Sequence, residues 1–249
     1  MAILWTRCVD GVRYEVRSAG RTRRLYTNGV CHSEFNPAKI VTGSVWDLLF
    51  IPAYFAARGE IRRILVLGVG GGATLLQLRH LLKPRRIIGV DSDPVHLDIA
   101  ARFFGADRDR ITLKHADARA WLDRYSGRPF DLIIEDLFVD EGREPVRPVQ
   151  VDHGWAKLLL RHLSARGLLV VNFGSSAELR GSALVSDKRL ASGFGSIFRL
   201  TTINLDNAVG AFLRCPGTSA ALRSNLRSEP LLSRALLNRS LRYRILSIR

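Results

Sequence analysis

The sequence predicts an α/β protein built on a doubly wound, mostly parallel sheet with a small β module ahead of it. Three observations lead there. From Ile61 onward, short apolar runs ("RILVLG", "RRIIGVD", "RITLKHAD", "DLIIEDLF", "LLVVNF") alternate with amphipathic runs of helical period. The first of these apolar runs opens directly into a glycine-rich bend, and the next three end in acidic residues. In such sheets ligands sit at the carboxyl ends of the strands, where that bend and those acids fall.

Taken in order, residues 1–42 read as a small strand module. Apolar and polar positions alternate, and "VDGV" and "TNGV" mark turns, which gives two or three antiparallel strands. "GSVWDLLFIPAYFAARG" then reads as a helix interrupted at Pro52. Residues 43–216 form the doubly wound domain, whose later runs "FRLTTINL" and "NAVGAFLRC" suggest a hairpin closing one sheet edge. Residues 217–249 carry Leu222, Leu226, Leu232, Leu236 and Leu237 among arginines, the pattern of one or two docked amphipathic helices.

Composition bounds the function. Of 249 residues, 47% are hydrophobic, and the longest apolar runs are strand-sized, whereas a membrane span needs about 20 residues. Arg7 and Asp10 interrupt the start of the chain before a secretory apolar stretch forms, so a cytoplasmic location is expected. Cys8, Cys31 and Cys215 are far apart and without metal-ligand spacing, which reads as reduced structural cysteines and no metal site. The net charge is +15, yet 33 of the 38 basic residues are arginines scattered through almost every segment. Without an aromatic-interleaved basic stripe, a nucleic-acid partner is disfavoured.

The bend "ILVLGVGGGATLLQL" holds Gly68, Gly70, Gly71 and Gly72, a side-chain-free turn that lets a ligand approach the backbone before a helix starts at Ala73. The next strand ends at Asp91, 21 residues beyond Gly70, where an acid that accepts from ribose hydroxyls belongs. Each such charge-assisted bond contributes about 1.5–3 kcal/mol. A dinucleotide is disfavoured because Ala73 replaces the last spaced glycine of G-x-G-x-x-G, although alanine is an accepted variant. Asp93 before Pro94 reads as an N-cap. Asp117 either caps the helix that follows or accepts from an adenine amino group. Glu135 and Asp136 are adjacent at a strand end, so alternation sends only one of them toward the site.

In their order and spacing, "ILVLGVGGGATLLQL", "IIGVDSDP", "ITLKHADARAWL" and "FDLIIEDLF" resemble the spermidine synthase (polyamine aminopropyltransferase) family, within the Rossmann-like class I methyltransferase fold. The resemblance extends over residues 1–215. It implies that Gly68, Gly70 and Gly72 bend around the aminopropyl or amino-acid portion of a nucleoside, S-adenosylmethionine (AdoMet) or its decarboxylated form, with Gly71 counted among the cofactor-binding residues. It further implies that Asp91 holds the ribose, that Asp117 and Ala118 lie near the adenine, and that Asp136 is the catalytic acid. A small-molecule amine acceptor and a homo-oligomer are implied with them.

Departures from the family pattern are specific. Gly71 stands where the family carries an Asp that meets the donor's ammonium, and "EDLFVDEGREP" lacks the second Asp followed by Pro of the family's catalytic stretch. His32 and Asp47 fall near positions where the family has a Gln and a Glu facing the polyamine. On overall resemblance aminopropyl transfer leads; Gly71, which removes the repulsion of an ordinary AdoMet carboxylate, makes an AdoMet-dependent methyltransferase on a small molecule the rival, and a non-catalytic nucleoside-binding protein is the third reading.

Overall fold

The computed structural model describes residues 1–141, 144–203 and 205–249. Gly142 and Arg143 of "EDLFVDEGREP" and Asn204 of "FRLTTINL" lie outside the described residues.

The N-terminal module is a four-stranded antiparallel meander, β1 (Ala2–Val9), β2 (Val12–Ala19), β3 (Thr22–Thr27) and β4 (Val30–Phe35). Asp10–Gly11 and Asn28–Gly29 turn with positive φ at both central residues, the geometry that matches strand twist. The middle turn at Gly20, φ 57°, lacks an Asn-Gly or Asp-Gly pair, which is why the sequence showed two or three strands and the structure has four. Next come α1 (Val45–Phe50) and a 3₁₀ turn, Ile51–Phe55, with Pro52, which has no N–H for the α-helical ladder, at its second position.

The main domain runs β5 (Arg63–Leu67), α2 (Ala73–Leu82), β6 (Arg86–Asp91), α3 (Pro94–Ile99), β7 (Ile111–His115), α4 (Ala118–Arg124) and β8 (Phe130–Glu135). A short hairpin, β9 (Val139–Glu141) with β10 (Glu144–Val146), precedes α5 (His153–Arg161) and β11 (Leu163–Phe173). Three short helices follow, α6 (Ser176–Gly181), α7 (Ala183–Ser186) and α8 (Lys188–Ser192), then β12 (Ser196–Thr201) and β13 (Ala208–Leu213). The chain ends with α9 (Ser219–Ser228), α10 (Pro230–Leu237) and β14 (Arg244–Ser247).

Eight strands pair in the order β14-β12-β13-β11-β8-β5-β6-β7. β11, β8, β5, β6 and β7 are parallel, and β13 inserts antiparallel between β11 and β12. The hairpin expected at the edge is thus one place inward. The edge itself is β14, a strand in a tail that the sequence reads as helical.

Both sheet faces are covered, which explains the unbroken apolar runs. Ile64, Val66, Leu132, Ile134 and Val170 pack on one face with α1, α2, α9 and α10. Leu65, Leu67, Ile133, Leu169 and Val171 pack on the other with α5 and its fully buried Trp155. Leu222, Leu226 and Leu232 of the tail belong to the first of these cores. From β5 the chain winds outward through β6 and β7, then returns to place β8 on the opposite side, so the switch point lies at the carboxyl ends of β5 and β8.

Candidate functional site

Register brings the sequence-chosen residues to one rim. Leu67 is level with Val90 on β6 and with Glu135 on β8, so Gly68, Asp91 and Asp136 each stand one residue beyond that level. They open onto a cavity of about 760 Å³, walled on its far side by the N-terminal module. Gly68, Gly70, Asp91, Asp117, Ala118 and Asp136 all line it; Gly71 and Gly72 do not.

The four glycines have different physical reasons. At Gly68, φ 87°, an added Cβ would collide with the carbonyl of Asp136, so the first glycine is required by the neighbouring strand end as well as by the turn. Gly71 has an ordinary φ. Its Cβ would lie 2.8 Å from Ser33 Cβ and 2.9 Å from the Phe104 ring, and its N–H donates to Ser33 Oγ at 2.8 Å. Gly71 is therefore where β4 docks on the loop, and its N–H is directed at Ser33 rather than into the cavity. Gly72 starts α2 against Ala106, whose methyl would sit 2.6 Å from a Cβ there.

Asp91 fastens the loop. Its Oδ2 accepts from the N–H of Val69 at 2.7 Å and of Gly70 at 3.0 Å, and its Oδ1 from Asp93 N–H at 2.9 Å. A carboxylate oxygen has two lone-pair sites, so Oδ1 keeps capacity for one more donor, and Asp91 lines the cavity. Asp93 is the N-cap of α3, accepting from Val95 and His96, and its other oxygen accepts from the Tyr14 hydroxyl of β2 at 2.8 Å. Thr27 of β3 hydrogen-bonds His96 at 2.8 Å. These bonds tie the module to the rim of the sheet. Asp117 caps α4 through Ala120 N–H at 2.8 Å while lining the cavity with Ala118.

At the end of β8, alternation separates the two acids. Glu135, fully buried, turns to the α5 side, where it forms a two-bond pair with Arg147 at 2.8 Å each and accepts from Trp155 Nε1 at 3.1 Å. Asp136 turns to the cavity. Burial pushes its carboxyl up to about 6, against the opposing hydrogen bond from Asn172. A carboxyl in that range can take and release a proton near neutrality.

Of the loosely aligned pair, His32 lines the cavity, its ring centroid 5.3 Å from that of His96. Asp47 does not face it. Its buried carboxylate accepts from Thr42 N–H and Oγ1, Gly43 N–H and Gln77 Nε2, and so pins the 42–43 turn to α2. The family position is filled by a structural acid, and Ser44, Val45 and Trp46 present the surface there.

Sequence reasoning missed Tyr14, His96, Arg147, Asn172 and Asn207. A polar residue closing the apolar run "LLVVNF" was a readable signal for Asn172; the others reach the site from distant segments. Among the described residues no group of three His, Cys, Asp or Glu is placed to hold a metal ion, and no helix is long and apolar enough to cross a membrane.

Comparison with known proteins agrees with this architecture. Residues 64–144 match the family model described as a methyltransferase domain. A probable polyamine aminopropyl transferase of Bifidobacterium longum is 29% identical over 200 residues, covering 78% of this chain and 43% of that protein. The chain thus spans less than half the length of that curated relative. Among solved structures, a probable spermidine synthase from Corynebacterium glutamicum superposes with a TM-score of 0.74 at 17% identity, covering 94% of each chain. Human methyltransferase-like protein 13 in complex with SAH gives a TM-score of 0.61 at 19% identity, over 78% of this chain and 92% of that one. The chain has a Rossmann-like, class I methyltransferase-type fold preceded by a small β module, and its sequence is similar to polyamine aminopropyltransferases.

Proposed function

We propose that the protein is a transferase that binds an AdoMet-type nucleoside and delivers a carbon group from its sulfonium to a small nucleophile, with Asp136 as the base. The observation that carries this is the placement of Asp136, its carboxyl raised to about 6, on the same cavity rim as Asp91 and the glycine loop. The sulfonium leaves as a neutral thioether, so no acid is needed for departure. What the reaction requires is alignment and a free lone pair. As the nucleophile's nitrogen bonds to carbon and the carbon–sulfur bond breaks, the proton on nitrogen passes to Asp136.

Aminopropyl transfer from decarboxylated AdoMet to a small amine is the first form of this reading, supported by the aminopropyltransferase similarity. Methyl transfer from AdoMet is the second, supported by the match of residues 64–144 to a methyltransferase domain. Purified protein supplied with decarboxylated AdoMet and a diamine panel is expected to release methylthioadenosine. With AdoMet and a panel of small amines, S-adenosylhomocysteine marks the second form. Release of neither product across both panels would remove the transferase reading.

Asp91 carries the nucleoside part of the proposal. Asp91→Ala removes both the anchor of the Val69–Gly70 turn and the acceptor for ribose. It is expected to weaken methylthioadenosine binding about tenfold or more in calorimetry, since about 1.4 kcal/mol is a factor of ten. An unchanged dissociation constant would mean the ribose is held elsewhere.

A further inference from the structure

Asp136 is held from one side by a chain of two amides. Asn172, 3% exposed at the carboxyl end of β11, donates from Nδ2 to Asp136 Oδ1 at 2.8 Å. Its Oδ1 accepts from Asn207 Nδ2 at 3.2 Å. The Asn172 backbone carbonyl accepts in turn from the Arg147 guanidinium, which fixes the main chain beneath it. Asn172 and Asp136 also line the cavity, as does Asn207.

An amide side chain has one donating and one accepting end, and which end faces a neighbour is decided by what binds the other. With Asn207 donating to the oxygen of Asn172, only the N–H end is left for Asp136. The geometry points to Asn172 and Asn207 as positioning residues that present a donor to Asp136, keeping its carboxylate ionised and aimed along the cavity. Burial alone drives this carboxyl toward its neutral form, and a neutral acid accepts no proton from a nucleophile. Reversed, the Asn172 carbonyl would accept from a protonated Asp136 and stabilise the inactive form.

The other groups that act on Asp136 are Glu135 beside it on β8, which raises its pKa, and Arg147 and His32 of β4, which lower it. Glu135 and Arg147 neutralise one another through their paired bonds. The amide chain is thus the direct hydrogen-bonding contribution that offsets burial.

The functional meaning of this arrangement rests on the base role proposed above for Asp136, but its test needs no substrate. The 249-residue chain labelled with ¹³C at the Asp carboxyl is titrated by NMR, the Asp136 signal being the one lost in Asp136→Asn. Asn172→Leu is expected to move the Asp136 midpoint upward by about one pH unit, the effect of losing one hydrogen bond to the charged form. Asn207→Ala is expected to move it in the same direction by less, because Asn172 is then free to turn its carbonyl toward Asp136. Circular dichroism checks that each variant folds, and where Asn172→Leu does not, Asn207→Ala decides alone. Midpoints that stay at the parent value or fall would overturn the inference. Shifted midpoints in a protein that transfers no group would instead remove the base role and leave the amide chain standing.

Discussion

Asp136→Asn is expected to slow turnover by about 10²–10⁴ and at the same time to make the folded protein more stable at neutral pH. Asp136 holds its proton up to about 6 in the folded state, against about 3.9 in an unfolded chain. Between those values the folded state binds more protons than the unfolded one, so stability falls as pH rises through that window and stays reduced above it. The difference corresponds to about 3 kcal/mol at full effect, at about 1.36 kcal/mol per unit. Asparagine is nearly isosteric, carries no charge to desolvate, and still accepts from Asn172 Nδ2. Urea melts at about pH 7.5 should therefore show the variant more stable, with the gain vanishing near about pH 4. Loss of a positioned base typically costs about 10²–10⁴ in rate. A variant of unchanged stability at both pH values, or one that keeps its turnover, would contradict the role assigned to Asp136.

Arg147→Met is expected to cost more stability than other single changes at the rim, about 3–5 kcal/mol. The side chains of Arg147 and Glu135 are 4% and 0% exposed. Besides its two bonds to Glu135, the guanidinium pairs with Glu178 at 2.8 Å and donates to the carbonyls of Asn172 and Val149. Removing it leaves the Glu135 carboxylate buried without a counter-charge, which is far more costly than replacing the pair together. The double variant Arg147→Met/Glu135→Gln should recover part of the loss, because the buried charge is then gone. Chemical denaturation of the parent, the single and the double variant checks this. A single variant within about 1 kcal/mol of the parent would mean that solvent reaches Glu135 in solution.

The two acids illustrate what the sequence could and could not show. That Glu135 and Asp136 face opposite ways follows from strand alternation and was readable from "FDLIIEDLF". Which one faces the cavity depends on Arg147 and Trp155 arriving behind β8, from 12 and 20 residues away. The rhythm of strands and helices, the glycine bend and the level of Asp91 were legible because each is local or repeats at a fixed spacing. The reasons for individual glycines were not. Gly68 is forced by the Asp136 carbonyl and Gly71 by Ser33 and Phe104, contacts made only once distant strands are in place. Asp47 shows the converse. Its place in the sequence suggested a substrate acid, while its four hydrogen bonds to Thr42, Gly43 and Gln77 make it a buried fastener. The terminal strand β14 was hidden by the leucines that precede it, whose helical spacing dominated the tail.

A bend after β5 and an acid ending β6 that hold an adenosine-bearing sulfur compound against the N-terminal module must be shielded when that compound binds. Amide hydrogen exchange of the full chain with and without methylthioadenosine tests it most directly. Slowed exchange confined to the peptides spanning residues 68–74, 91–96 and 116–118 is expected. Exchange there that is unchanged at saturating methylthioadenosine would contradict it.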